Sequence, residues 1–231
     1  MSGFSESAHP RQPAGSGNGG EFASKSGFPA DDVVRDGNIN DRQTTLAVID
    51  GKPPLDEETA SAMYDYVRND YRGMNAALRK HPRWMDKLLD GTDINNLDPQ
   101  NRKMSLIQSV LKEQLDKPMI VYRGTSLPPK AVAKLDTPGA KLKLAGFQST
   151  SMSPAVASGF GGEYMLEIKI KQGRFLDQSA EQEFLLPHGA KFKVIGRKTV
   201  KMRVNPGRLY EDSKQPIREV EVIQLEQEMI R

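Results

Sequence analysis

The stretch PMIVYRG, residues 118–124, is where the character of the chain changes. Met119-Ile120-Val121-Tyr122 is a β-prone run behind a proline, and Arg123-Gly124 closes it. Upstream, apolar residues recur at helical spacing. Asp56 is a candidate N-cap, with Glu57 and Glu58 placed to complement the first turn, and Ala60, Met63, Tyr64 and Val67 follow on one face. Asn69-Asp70 reads as a break. Met74, Ala77 and Leu78 open a second piece, and Trp84, Met85, Leu88 and Leu89 lead to a turn at Asp90-Gly91. Residues 99–115 predict a further helix, with Met104, Ile107, Val110, Leu111 and Leu115 on one side.

Downstream the period becomes two. Lys141–Leu144, Met165–Ile170, Lys191–Val194, Val200–Val204 and Val220–Leu225 each alternate, with Gly and Pro between them. A helical part over 56–116 followed by a β-rich part over 118–226 predicts an α+β fold. Its N-terminal helices pack on a mostly antiparallel, two-sheet β-core. Residues 1–29 are rich in Ser, Gly, Pro and Asn and poor in residues to bury, which predicts a disordered tail, either a linker or an uncleaved export signal. The folded domain is then 30–231, with an irregular lead-in ending at Pro53-Pro54.

Composition narrows the chemistry. The 231 residues contain no cysteine and three scattered histidines, which removes disulfides, thiolate metal sites and a Cys nucleophile and argues against a His-rich metal centre. No run approaches the ~20 apolar residues needed to span a bilayer, and no apolar N-terminal region marks a cleaved secretory signal. The 33 basic and 30 acidic residues leave a net charge of +3. That is too mild and mixed to indicate nucleic-acid binding, though it suits an anionic cofactor. A monomer is expected.

Three short motifs carry polar chemistry. A guanidinium at the end of a strand, Arg123, grips phosphate or carboxylate in a bidentate manner, and Gly124 lets a ligand approach the backbone. Ser149-Thr150-Ser151 puts two hydroxyls on one strand face. No histidine lies close in sequence to make Ser149 a nucleophile. Glu181-Gln182-Glu183 sets two carboxylates on one side of an extended segment. Two such charges repel and need a cation, a donor or a ligand nearby. Taken singly, each motif is also compatible with a turn, a polar strand or a solvated loop.

In order and rough separation the three together resemble the Arg–Ser–Glu class of mono-ADP-ribosyltransferases, which includes bacterial toxins and injected effectors. Two further features strengthen the likeness, which covers roughly 56–226. Tyr66, Tyr71 and Asn75 sit at the spacing of a helical stretch that several members lay over the NAD cleft. Phe160, in a Gly-rich loop, matches an aromatic that packs on nicotinamide. The resemblance implies that Arg123 clamps the NAD diphosphate and that Gly124 offers backbone groups to the nicotinamide amide. Ser149 orients Glu183, and Glu183 holds the nicotinamide-ribose 2′-hydroxyl. Glu181 positions the acceptor and takes its proton. Tyr66, Tyr71, Asn75 and Phe160 would complete the NAD site. NAD is the co-substrate, and no metal is implied.

An acidic residue at position 181 goes, in this class, with arginine acceptors, so the implied partner is a host protein bearing an acceptor arginine. The implied setting is an effector exported without a cleaved signal and acting in the host cytoplasm. The chain departs from the pattern in two places. It lacks the aromatic that several members carry shortly before Glu-x-Glu, here Asp177-Gln178-Ser179-Ala180, and no second arginine follows Arg123. Arg79 or Lys169 are the candidates for the missing phosphate contact. An NAD glycohydrolase and a non-catalytic binding module on the same fold remain as alternatives.

Overall fold

Asp56 begins the described structure as an N-cap. Its carboxylate accepts from Thr59 N at 2.9 Å and from Thr59 Oγ1 at 2.7 Å, opening α1 (Glu57–Asp65). The structure, a computed structural model, describes residues 55–159, 162–176, 182–203 and 217–230. The expected tail at 1–29, Phe160 and Glu181 lie outside the described residues.

The expected break at Asn69-Asp70 is instead a π-helical turn, Tyr66–Asp70, that runs without interruption into α2 (Tyr71–Lys80). The wide turn is braced from outside. Lys103 Nζ lies 2.5 Å from Asp65 and 3.3 Å from Asp70, so one cation ties both ends of the turn. Pro82 starts α3 (Pro82–Gly91), where its missing N–H costs nothing. Asp98 caps α4 (Pro99–Leu111), accepting from Gln100 N and Asn101 N. This helix ends four residues short of the predicted 115, because β1 (Gln114–Thr125) already begins there and takes Leu115 into the sheet core.

The remaining strands are β2 (Lys141–Lys143), β3 (Gln148–Ser151), β4 (Tyr164–Gln172), β5 (Arg174–Phe175), β6 (Glu183–Leu186), β7 (Lys191–Arg203) and β8 (Ile217–Glu228). Two six-residue helices, α5 (Pro129–Lys134) and α6 (Pro154–Gly159), fall between them. Lys191–Val194 and Val200–Val204, which read as separate strands, fall as far as Arg203 on one strand with an irregularity between Val194 and Gly196.

Among the described residues the eight strands share one hydrogen-bonded order, β2-β7-β8-β4-β1-β3-β6-β5. Only β4 and β8 run parallel. The expected two sheets are its two halves. They join through a single residue pair, Tyr122 with Ser151, and then face each other. Val121, Leu166, Ile168, Phe192 and Ile223 of the larger half pack in one cluster with Phe175, Phe184 and Leu186 of the smaller. The helices cover the other side of the smaller half, where Met74, Leu78, Met104, Ile107 and Leu111 pack with Phe147 and Leu185. No helix of the described residues is long and apolar enough to cross a membrane.

Candidate active site

The pleat of β3 and β6 decides which side chains can meet. Ser151 pairs with Glu183, Thr150 with Phe184 and Ser149 with Leu185. Directly opposed residues share a face, so Ser149, Ser151, Glu183 and Leu185 lie on one side. Thr150, Phe184 and Leu186 lie on the other, toward the core between the sheet halves. Thr150 has no exposed surface and donates its hydroxyl to Phe184 O at 2.7 Å, so it serves the strand pair.

The pleat starts at Glu183. Gln182 has φ 45°, a left-handed conformation that costs a side-chain-bearing residue about 1 kcal/mol. The extended geometry that put residues 181 and 183 on one side therefore does not hold through Gln182. The conformation is held from both flanks: Met152 N donates to Gln182 O at 3.1 Å, and Leu176 N to Glu183 O at 2.9 Å. Glu183 itself is 2% exposed.

Arg123 and Gly124 reach this region across the joint between the sheet halves. Tyr122 pairs with Ser151, and Ser151 with Glu183, so one row of residues crosses β1, β3 and β6. Arg123 follows Tyr122, is 7% exposed, and donates Nη1 to Ser149 O at 2.6 Å. A buried guanidinium thus spans the point where the two halves share one residue pair. Arg123, Ser149, Ser151 and Glu183 lie on the neighbouring strands β1, β3 and β6. The register sets Ser151 directly opposite Glu183, with Ser149 one step along the same face.

The helices add a lining whose members differ in access. Tyr66 is 1% exposed and packs edge-on against Phe147, with ring centres 5.4 Å apart. Asn75 is 2% exposed; its Nδ2 donates to Tyr66 Oη at 3.0 Å and its Oδ1 accepts from Phe147 N at 2.7 Å. In this arrangement both pin the helices to the start of β3 and present no surface to a ligand. Tyr71 is half-buried, edge-on to Tyr66 and beside Arg72, and keeps an accessible side.

Of the two candidate second cations, Lys169 pairs with Ile120 on the outer face of β1, opposite to Arg123, and lies 3.7 Å from Glu226. Arg79 lies on the helical side, with Nη1 3.5 Å from where a Cβ on Gly146 would stand.

Gly162 packs against the end of β1. At Gly162, φ is 109° and an added Cβ would lie 2.1 Å from the carbonyl of Thr125, next to Gly124. Replacing Gly162 by Ala should therefore cost about 3 kcal/mol, from left-handed strain plus the clash, and lower Tm by roughly 10 °C. Gly73→Ala is the control. It lies in α2 with its nearest neighbour at 3.7 Å, and should stabilise by about 0.5–1 kcal/mol in the same melting experiment.

The residues present are one buried guanidinium, hydroxyls, one buried carboxylate and a half-buried tyrosine. That set offers a cation for an anionic group, hydroxyls and a carboxylate for hydrogen bonding, and an aromatic face. Among the described residues no group of three or more His, Cys, Asp or Glu is placed to hold a metal ion.

The family model described as ADP-ribosyltransferase exoenzyme matches residues 48–219. No curated protein matches the chain by sequence. Solved structures share the fold. The enzymatic component C2-I of the C2-toxin from Clostridium botulinum is 19% identical with a TM-score of 0.56, over 80% of this chain and 46% of C2-I. The present chain thus spans under half of that protein's length. The Clostridium limosum C3 exoenzyme is 19% identical with a TM-score of 0.52, over 84% of this chain and 96% of its own. C3stau2 from S. aureus, solved with NAD, is 16% identical with a TM-score of 0.52, over 83% of this chain and 95% of its own.

Proposed function

This chain belongs to the ADP-ribosyltransferase exoenzyme family, and from that premise we propose that it transfers ADP-ribose from NAD to an arginine of a host protein. The observation that carries this reading is the row Tyr122–Ser151–Glu183 with the Arg123 guanidinium bridging to β3 beside it.

Arg123 holds the NAD diphosphate, with Arg79 supplying a second positive charge from the helical side. Tyr71 offers a stacking face, and Tyr66 and Asn75 act by holding Phe147 and the start of β3. Gly124 leaves room for the nicotinamide amide at the backbone. Glu183 holds the ribose 2′-hydroxyl. Its charge stabilises the positive charge that develops on the ribose as the C–N bond breaks and the bonding pair leaves with nicotinamide, the same electrostatic logic as in glycoside hydrolysis. Ser149 and Ser151 keep the carboxylate fixed by their place on the shared face. Phe160 is assigned to the nicotinamide side by family likeness.

An arginine acceptor is protonated near neutral pH and is a poor nucleophile until it loses a proton. Glu181 is the residue proposed to take that proton, after which the guanidine nitrogen forms the new bond to the ribose carbon. The acidic identity of residue 181 supports arginine as acceptor. A bacterial effector acting as a monomer in the host cytoplasm is the setting that fits such a reaction.

The test uses labelled NAD and host lysate. Label should appear on a host protein, and mass spectrometry should locate it on arginine. Label on another residue type would overturn the acceptor assignment; NAD cleavage with no labelled protein would favour a glycohydrolase; no cleavage would favour a binding module. Glu181→Gln should lower transfer at least about 100-fold, in the range of losing a general base, while nicotinamide release in the absence of acceptor persists. Equal loss of both activities would count against the role given to Glu181.

A further inference from the structure

We propose that His188 is a positioning residue of this site, one whose neutral ring ties the entry of β3 to the exit of β6 and whose protonation releases that tie. β6 ends at Leu186 and β3 begins at Gln148. His188 lies two residues after the first, and Gly146 two residues before the second. Gly146 N donates to His188 Nδ1 at 2.8 Å, so the two strand ends meet through a titratable atom.

The surroundings leave little freedom. The His188 side chain is 1% exposed. Its backbone is clamped to α4 by one amide: Gln108 Nε2 donates to His188 O at 3.1 Å, and His188 N donates to Gln108 Oε1 at 2.9 Å. Gly146 has φ 85°, and a Cβ there would meet Asn75 Oδ1 at 2.8 Å, so its N–H direction is set by a backbone shape that glycine alone adopts easily. The next N–H, of Phe147, is held by the same Asn75.

A nitrogen that accepts a hydrogen bond carries no proton, so the ring is neutral with its proton on Nε2. A second proton can go only to Nδ1, where it would face the Gly146 N–H, donor against donor. The groups around the ring are Asp86 and the Pro82 backbone of α3, Lys143 of β2 and, beyond Gly146, Arg79 of α2. Asp86 Oδ1 is 3.3 Å from Nε2 but off the line of a hydrogen bond, and its other oxygen is engaged by Lys143 Nζ at 2.6 Å. Burial, the largest influence, holds the imidazole below its usual range; Asp86 opposes this and Lys143 adds to it.

The sign follows. The unfolded chain binds a proton near pH 6.5 that the folded chain resists, so stability falls as pH drops below about 6.5. The fall begins above ordinary carboxylate titration and continues down to the lowered midpoint of the folded ring. Loosening at Gly146 and His188 is passed along β3 and β6 to Ser149 and Glu183 on their shared face.

The link to catalysis rests on the proposed transferase reaction, so the test has one arm that needs no activity. Nicotinamide release from NAD is measured from pH 8 to pH 5 for wild type, His188→Asn and His188→Leu. In parallel, the Gly146 amide resonance and Tm are followed in the same buffers. Wild type should lose about tenfold in rate per pH unit once below the midpoint, with the Gly146 amide moving over the same range. Asn presents an oxygen to Gly146 and does not titrate; His188→Asn should recover most of the rate that His188→Leu loses at pH 7.5 and should lack the acid limb. The same acid limb in His188→Asn as in wild type would overturn the proposal. So would a Gly146 amide that is flat with pH in wild type. If no variant releases nicotinamide at any pH, the function proposed above fails, and the amide and melting data decide the positioning role alone.

Discussion

Glu183→Gln should lower nicotinamide release from NAD about 1,000-fold with little change in Tm or in KM for NAD. The side chain is 2% exposed and stands opposite Ser151 at the first paired residue of β6. Glutamine keeps the shape and most of the hydrogen-bonding capacity, so binding of the ground state survives. What is lost is a fixed negative charge beside a positive charge that exists only while the C–N bond breaks, and one such preorganised group contributes roughly 10²–10³ in rate. The loss should therefore appear in kcat. A folded Glu183→Gln protein that keeps more than about a tenth of wild-type kcat would remove Glu183 from the proposed centre. Stopped assays of nicotinamide release, with circular dichroism to verify the fold, provide both readouts.

Arg123→Lys should lower kcat/KM for NAD about 100-fold, mainly through KM, and should cost stability as well. The guanidinium is 7% exposed and gives Nη1 to Ser149 O at 2.6 Å, and the proposed diphosphate contact draws on the same fork. Lysine keeps the charge but has neither the planar fork nor enough donors for both tasks. A hydrogen bond to a charged group contributes roughly 1.5–3 kcal/mol, which brackets the expected factor. The structural share separates from the binding share by comparing Tm without NAD to the shift in Tm that NAD produces. If Arg123→Lys leaves that NAD-induced shift intact, Arg123 belongs to the seam between the sheet halves and not to the dinucleotide site.

The α-then-β order was legible because helices and strands bury one face each, and the apolar period changes from helical spacing to two at Pro118. The strand bearing Arg123 was legible as a β-prone run behind Pro118, and that bearing Ser149 from its hydroxyl residues, without an apolar period. The short helix α6 was not, since six residues with Ala157 as the buried one carry no period to detect. The turn at Tyr66–Asp70 also misled, because a π-helical turn shifts the spacing as a break would. Tyr66 and Asn75 matched a ligand-facing pattern by spacing alone. Their hydrogen bonds to each other and to Phe147, seventy-two residues beyond Asn75, are invisible in one dimension.

By itself the sequence determined the order of helices and strands and, through the identity and spacing of Arg123, Ser149 and Glu183, a resemblance to one family, since these are local properties of the chain. Only the tertiary structure decided the pairings: Ser151 opposite Glu183, Lys169 on the outer face from Arg123, and His188 against Gly146. Register, sheet bending and contacts between distant segments depend on how the apolar faces are buried together, and that packing joins residues that no spacing rule connects.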